Sequence, residues 1–257
     1  MKQRTLGPAL VHVSALGLGC MGMSEFFGAT DDAQSLATLA RAPELGVTFL
    51  DHCRNPGVPI EDLMGTLAER VRAGKVGQVG WSEVSVDTLR KDCAVHPVDA
   101  VQSEDSLWSR EPENGMLRAC AELDTTFVAD SPLGRAFLTG TVASATLSDT
   151  DFRKHKPRFS GPAEAVNREL IDGLSRFAEG LGLTNAQVAL AWLLAKHPHL
   201  VPIPATRRIA YLEQNVAATQ VSRTEAQLAE LDRRFEPTKM PARAIRTRAW
   251  SASSDCR

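Results

Sequence analysis

Phenol groups are nearly absent from this chain. Tyr211 is its one tyrosine, and aromatic residues make up 5% of 257 positions. Chemistry that needs a tyrosine hydroxyl anywhere else is therefore excluded. Paired cysteines are lacking too: Cys20, Cys53, Cys93, Cys120 and Cys256 are odd in number, scattered, and form no CxxC motif. They read as reduced thiols, which sets a cytoplasmic expectation. No apolar run is long enough to span a bilayer, and MKQRTLG at the start lacks the apolar stretch of a signal peptide. A formal net charge of −2 offers no basis for nucleic-acid binding.

What is present is a core-forming sequence, 43% hydrophobic, of a length that suits one α/β barrel domain. Residues 1–237 are read as that domain and 238–257 as a loose basic tail. Strand-like and helix-like stretches alternate about six times. Val11–Gly19 reads as a strand running into a glycine turn. A helix begins at Asp31 and Asp32 and is expected to end early at Pro43. Val47–Asp51 is a second strand. Ile60–Gly74 reads as a helix, and Gly77–Trp81 as a strand. Helix Val86–Cys93, strand Val98–Gln102, helix Asn114–Leu123 and strand Thr126–Ala129 follow.

The polar segment Gly140–Gly161 is the candidate for a mobile loop over a site. Two helices follow, one through Val166 and Leu181 and one capped by Thr184. Then come a strand at Leu200–Pro204 and helices at Ile209–Ala218 and Thr224–Phe235. The HPH run at His197–His199 is read as a helix end, not a metal motif. This alternation predicts a parallel sheet with outer helices, whose ligands bind beyond the carboxyl ends of the strands. Polar residues recur at those ends: Asp51, His52, Ser82, Glu83, Gln102, Asp105, Asp130, Ser131, Thr206 and Arg207. Thr206-Arg207-Arg208, between a strand and a helix start, suits an anion; two solvated loop arginines are the plain alternative.

The stretches GLGCMGMSEFFGATDD, GVTFLD, VPIEDLMGTLAERVRAGKVGQVGWSEVS, SLWSREPE, SPLGRAFLTG and VPIPATRRIAYLEQNVAA together resemble the aldo-keto reductase family over residues 4–235. The resemblance implies a TIM-barrel fold, NADP(H) as cofactor, and a small carbonyl or alcohol substrate. It places Ser82 and Gln102 on the nicotinamide carboxamide, and Ser131, Leu133, Gly134 and Arg135 on the pyrophosphate. Thr206 and Arg207 fall on the adenosine 2′-phosphate, and Gln214 and Asn215 on the adenine. The family usually has Glu in place of Gln214.

The departures concern catalysis. Of the family's Asp, Tyr, Lys and His, Asp51 matches the Asp and His52 matches the His. Pro56 stands where the Tyr would fall, and the strand carrying the Lys is missing with about one neighbour. Asp130 and Asp105 stand where the family has tyrosines before SPLG and SLW. About six strands remain where the family has eight, TIM-barrel-derived but shortened. They form either a narrower closed barrel or an open sheet whose exposed edges a homodimer covers; a poorly folding chain is the third outcome. Three functions stay open. One is an oxidoreductase with a degenerate active site using Asp51 and His52. Another is a nucleotide-binding barrel without redox chemistry, acting as sensor or partner subunit. The third is an acid–base enzyme using an acidic mouth of Asp51, His52, Glu83, Asp105 and Asp130, with solvated strand ends as its plain alternative and no metal ligand assigned.

Overall fold

A computed structural model of the chain describes residues 1–8, 11–19, 31–48, 50–51, 68–69, 71–73, 78–142, 147–149, 151–159 and 161–239. An antiparallel hairpin opens it, β1 (Gln3–Leu6) against β2 (Val11–Ser14), with Gln3 opposite Ser14 and Leu6 opposite Val11. Among the described residues six parallel strands follow in two sets. β3 (Leu18–Gly19) pairs with β4 (Leu50–Asp51). The larger set runs in the order β5 (Gly80–Ser82), β6 (Ala100–Glu104), β7 (Thr126–Asp130), β8 (Leu200–Pro202). A parallel bridge between Gly19 and Ala205 joins the two sets, so the spatial series is β4-β3-β8-β7-β6-β5. Gly19 is required at that seam, because a Cβ there would stand 2.8 Å from the Ile203 carbonyl oxygen. Among the described residues no pairing joins β4 to β5.

The strands alternate with period two, and their two faces meet different partners. Val101, Phe127, Ala129 and Leu200 pack outward in one cluster with Leu89, Leu117 and Trp192 of the helices. Ala100 and Val201 face the other way and pack with Leu6 and Val13 of the hairpin. The hairpin thus plugs the inward face at the amino end of the strands. Thr126 ties it there: its hydroxyl accepts from the Gly7 amide at 2.8 Å and donates to the Thr5 carbonyl at 3.2 Å. Arg4 adds guanidinium bonds to the carbonyls of Leu194 (2.6 Å), His197 (2.5 Å) and Leu200, and burial lowers its pKa to about 10. This hairpin corrects the reading of Val11–Gly19 as one strand; the chain bends after Ser14, where the Ser14 hydroxyl donates to the Leu16 carbonyl.

Helices cover the outward face. α1 (Asp32–Glu44) starts on the Asp31 side chain, which accepts from the Gln34 amide at 3.0 Å, and Pro43 is tolerated one residue before its end. α2 (Val86–Val95) and α3 (Met116–Glu122) follow. α4 (Gly161–Glu179) precedes α5 (Asn185–Lys196), which has a Thr184–Gln187 capping box and ends at His197. α6 (Ile209–Ala217) and α7 (Glu225–Arg234), the latter capped by Thr224 and Gln227, complete the layer. The helix expected over 60–74 lies mostly outside the described residues, as does the tail beyond residue 239. No helix among the described residues is long and apolar enough to cross a membrane.

Residues 151–159 of the candidate mobile loop are tied down. Asp151 is buried and paired to Arg153 at 2.7 Å, and buried Phe159 meets Phe137 edge-on at 5.1 Å between centroids. Apolar anchors within a polar stretch outweigh its composition here.

Candidate functional site

Register decides which strand-end residues meet. Ser82 is opposite Gln102, Gln102 opposite Val128, and Glu104 opposite Asp130. With period two these five share one face, and Ala100, two residues before Gln102, shows that it is the inward one. The inward face is therefore apolar where the hairpin plugs it and polar at its carboxyl end. Ser82 is exposed there; Gln102, Glu104 and Asp130 are partly buried.

The mouth is crowded with carboxylates. Glu104 accepts from the Ser109 hydroxyl at 2.5 Å and meets Arg158 at 3.2 Å and Arg135 at 2.7 Å. Glu83, at a left-handed φ of 57°, donates its amide to the Gln102 carbonyl at 2.8 Å. Its carboxylate accepts from the Glu104 amide at 3.2 Å. Lost hydration pushes the Glu83 carboxyl above its ordinary value, although the residue keeps an exposed edge; Asp130 and Glu104 add to the rise. Asp130 accepts from the Ser131 hydroxyl at 3.1 Å. Its carboxyl is also raised, by burial first and then by Glu104, against the opposing pull of Arg135.

After β7 the backbone enters a tight loop. Ser131, Gly134, Arg135 and Ala136 all have left-handed φ values, of 46°, 56°, 55° and 71°. Gly134 passes so close to Trp108 that a Cβ would stand 2.8 Å from the indole ring. Trp108 packs on Phe137 at 4.4 Å, and the Arg158 guanidinium lies 5.0 Å from the indole centroid. A bend, a hydroxyl and a guanidinium thus stand beside Gln102 and Asp130 at the same end of the sheet.

The β8–α6 connection brings Thr206, Arg207 and Arg208 to that end. The Thr206 hydroxyl accepts from the Arg208 amide at 3.1 Å, and the Arg207 carbonyl accepts from the Thr38 hydroxyl at 2.7 Å. The Arg207 side chain adds to the downward pull on Asp151, whose carboxyl is held low chiefly by Arg153. Arg208 instead lies over the exposed Tyr211 ring, at 5.5 Å. Leu133 and Gln214 are partly buried, and Asn215 is buried.

The backbone of Asp51 ends β4 opposite Gly19, next to the bridge to Ala205, so it also reaches the carboxyl end. Its side chain and all of His52 lie outside the described residues.

Two corrections follow from this placement. Asp105 does not belong to the acidic mouth. It is buried, its Oδ1 has no hydrogen-bond partner among the described residues, and its charged neighbours are Glu113, Arg110 and Glu111. One step past Glu104, alternation sends it away from the inward face. Conversely Glu104 and Arg158 were missing from the sequence-predicted site. Glu104 was within reach, two residues after Gln102; Arg158, 54 residues further on, left no local signal. Among the described residues no group of three or more His, Cys, Asp or Glu could hold a metal ion.

Known proteins agree with this architecture. Residues 52–235 match the model of the Aldo/keto reductase family. The chain is 40% identical over 195 residues to the NADP(+) aldo-keto reductase yakc of Schizosaccharomyces pombe, covering 73% of this chain and 57% of that protein. It is 39% identical over 197 residues to the aldo-keto reductase str7 of Strobilurus tenacellus, covering 75% and 59%. The chain thus spans less than two thirds of the length of these curated relatives. Two solved structures share the fold. A thermostable aldo-keto reductase in complex with the inhibitor epalrestat superposes with TM-score 0.68 at 22% identity, covering 91% of this chain and all of that one. A glycerol dehydrogenase from Gluconobacter oxydans superposes with TM-score 0.79 at 16% identity, covering 91% and 96%. With a parallel α/β series whose polar residues gather at the carboxyl ends, and a family match over most of its length, the chain belongs to the aldo/keto reductase family.

Proposed function

We propose that the mouth binds NADP(H) and that the chain is an aldo-keto-reductase-type oxidoreductase for a small carbonyl or alcohol, working with a reduced set of catalytic groups. The observation that carries this is the Ser82–Gln102 register pair on the inward face at the mouth, in a chain of this family. A hydroxyl beside a carboxamide complements both the N–H and the C=O of a primary amide. The donor set fits the rest of the cofactor too. The left-handed turn through Ser131, Leu133, Gly134 and Arg135 bends round a small group, and Thr206 and Arg207 precede the N-terminus of α6. Gln214 and Asn215 lie further along that helix and would take the adenine.

When bound, the cofactor supplies or accepts a hydride at the substrate carbon. The chain's own part is to hold the ring amide through Ser82 and Gln102, and to move a proton at the substrate oxygen. His52 is the proposed donor, because an imidazole titrates near neutral pH, with Asp51 beside it. The one tyrosine, Tyr211, sits exposed on α6 against Arg208 and cannot take that role. A positioned acid is worth about a hundred- to ten-thousand-fold in rate, which is the contribution assigned here to His52.

Asp130 favours a second reading, a nucleotide-binding barrel without redox turnover, because it puts a carboxylate where stacking on a ring would be useful. Titration with NADPH, followed by quenching of tryptophan fluorescence, decides between them. Binding with slow carbonyl-dependent oxidation supports the enzyme, and binding without turnover supports the second reading. Absence of binding overturns both. His52→Ala is expected to abolish the residual turnover; unchanged turnover removes His52 from the mechanism.

A further inference from the structure

We propose that Asp130 makes this mouth select the oxidised, cationic nicotinamide over the reduced, neutral one. The inference rests on the cofactor reading above and concerns the charge around the ring. Gln102 pairs with Val128, so Asp130 is one strand across and one inward step nearer the solvent. Strand spacing and rise place its Cα about 8 Å from that of Gln102. A nicotinamide whose amide were held at Ser82 and Gln102 would share the inward face at the mouth with the Asp130 carboxylate.

The surrounding charges sharpen the choice. Glu104, directly opposite Asp130, has Arg135 and Arg158 as ion partners. Asp130 has the Ser131 hydroxyl, with Arg135 acting on it from a distance. Glu83 has the Glu104 amide and the Ser103 side chain, and it repels Asp130. Lys156 lies near Arg135 and Glu104, and Arg153 donates to the Arg135 carbonyl at 3.2 Å while pairing with Asp151. Among the described residues no ion pair reaches Glu83 or Asp130; the two carboxylates repel each other, and the cation acting on Asp130, Arg135, is paired with Glu104. A pyridinium arriving between them supplies a further cation; a dihydropyridine supplies none and still strips water from the carboxylates. Charges a few ångströms apart at a half-exposed site give a preference on the order of tenfold.

The test measures dissociation constants of NADP+ and NADPH for the full chain at neutral pH, by tryptophan fluorescence or calorimetry. Adenosine 2′,5′-bisphosphate, which lacks the nicotinamide, serves as the reference probe. NADP+ is expected to bind about tenfold tighter than NADPH, and Asp130→Asn is expected to remove the difference without moving the bisphosphate constant. Equal affinities in the unaltered chain, or tighter NADPH binding, overturn the inference while leaving the cofactor reading intact. So does an unchanged ratio in Asp130→Asn. If the bisphosphate binds and neither dinucleotide does, the nicotinamide placement falls and the inference with it. If none of the three binds, the cofactor reading falls as well.

Discussion

Arg158 and Glu104 meet at 3.2 Å across 54 residues of chain, at the point where the segment after the β7 loop folds back on the end of β6. The same guanidinium donates to the Ser109 hydroxyl at 2.8 Å and lies over Trp108, and the Arg158 side chain is only 7% exposed. At that burial the pair is a structural clasp, unlike a surface ion pair of small net worth. Arg158→Gln is expected to destabilise the fold by about 2–3 kcal/mol, since it removes one of the two ion pairs of Glu104 and takes packing from the indole face. Chemical denaturation of Arg158→Gln, Glu104→Gln and the double variant checks this. Strictly additive losses would show that the two side chains do not interact.

Asp105 should behave in the opposite sense. Its carboxyl is buried, one oxygen has no hydrogen-bond partner among the described residues, and Glu113 stands near. Burial first, and Glu113 next, raise its pKa well above the ordinary carboxylate value. A carboxyl whose folded pKa is raised binds its proton more tightly in the folded chain. Stability is then unpenalised below the unfolded pKa of about 4 and is lost as pH rises through the folded value. Asp105→Asn is therefore expected to stabilise the chain by about 1–2 kcal/mol at neutral pH, with the gain vanishing below about pH 4. Melting curves of both proteins across that range give the answer. A gain independent of pH would point to packing and not to charge.

That contrast shows what the sequence could and could not disclose. The inward site of Ser82 and Gln102 is legible because strand periodicity is local, and the same alternation extended by two residues reaches Glu104. The fate of Asp105 is not, because the charges that act on it, Glu113 and Arg110, follow the strand in a turn and a 3-10 segment, where strand periodicity no longer applies. The amino-terminal hairpin was missed for a related reason. β2 and β3 are separated by only Ala15, Leu16 and Gly17, all three apolar or glycine, and no polar break marks the bend. The six parallel strands among the described residues fall on the stretches whose apolar runs the sequence sets off with helix or turn signals. Arg158 was not legible, since its partner lies 54 residues earlier, with a helix, a strand and three 3-10 segments between them among the described residues.

Ala136 carries backbone strain that the sequence does not announce. It is the third left-handed residue in a row, at φ 71°, where a Cβ is disfavoured. Strain of this type costs on the order of 1–3 kcal/mol, and the added freedom of glycine in the unfolded chain returns about 0.5–1 kcal/mol of that. Ala136→Gly is expected to raise the melting temperature by about 2–4 °C. A lower melting temperature would mean that the methyl group is packed more favourably than the torsion is strained.

Arg207 gives the sharpest test of the phosphate corner. Its backbone is fixed by the Thr38 hydroxyl at 2.7 Å, and its side chain contributes to holding the Asp151 carboxyl low, so it faces the 151–159 segment. Arg208 differs, being stacked over Tyr211. If the corner receives a 2′-phosphate, only ligands that carry that group should feel the loss of Arg207. Arg207→Ala is expected to weaken adenosine 2′,5′-bisphosphate roughly ten- to hundredfold, the worth of a charge-assisted hydrogen bond, and to leave adenosine 5′-phosphate within about twofold. Arg208→Ala should affect the two probes alike. Calorimetric titration of both nucleotides against both variants separates a phosphate contact from a general disturbance of the β8–α6 turn. An equal loss for the two probes in Arg207→Ala would assign this arginine to the turn alone, and the 2′-phosphate would need another holder.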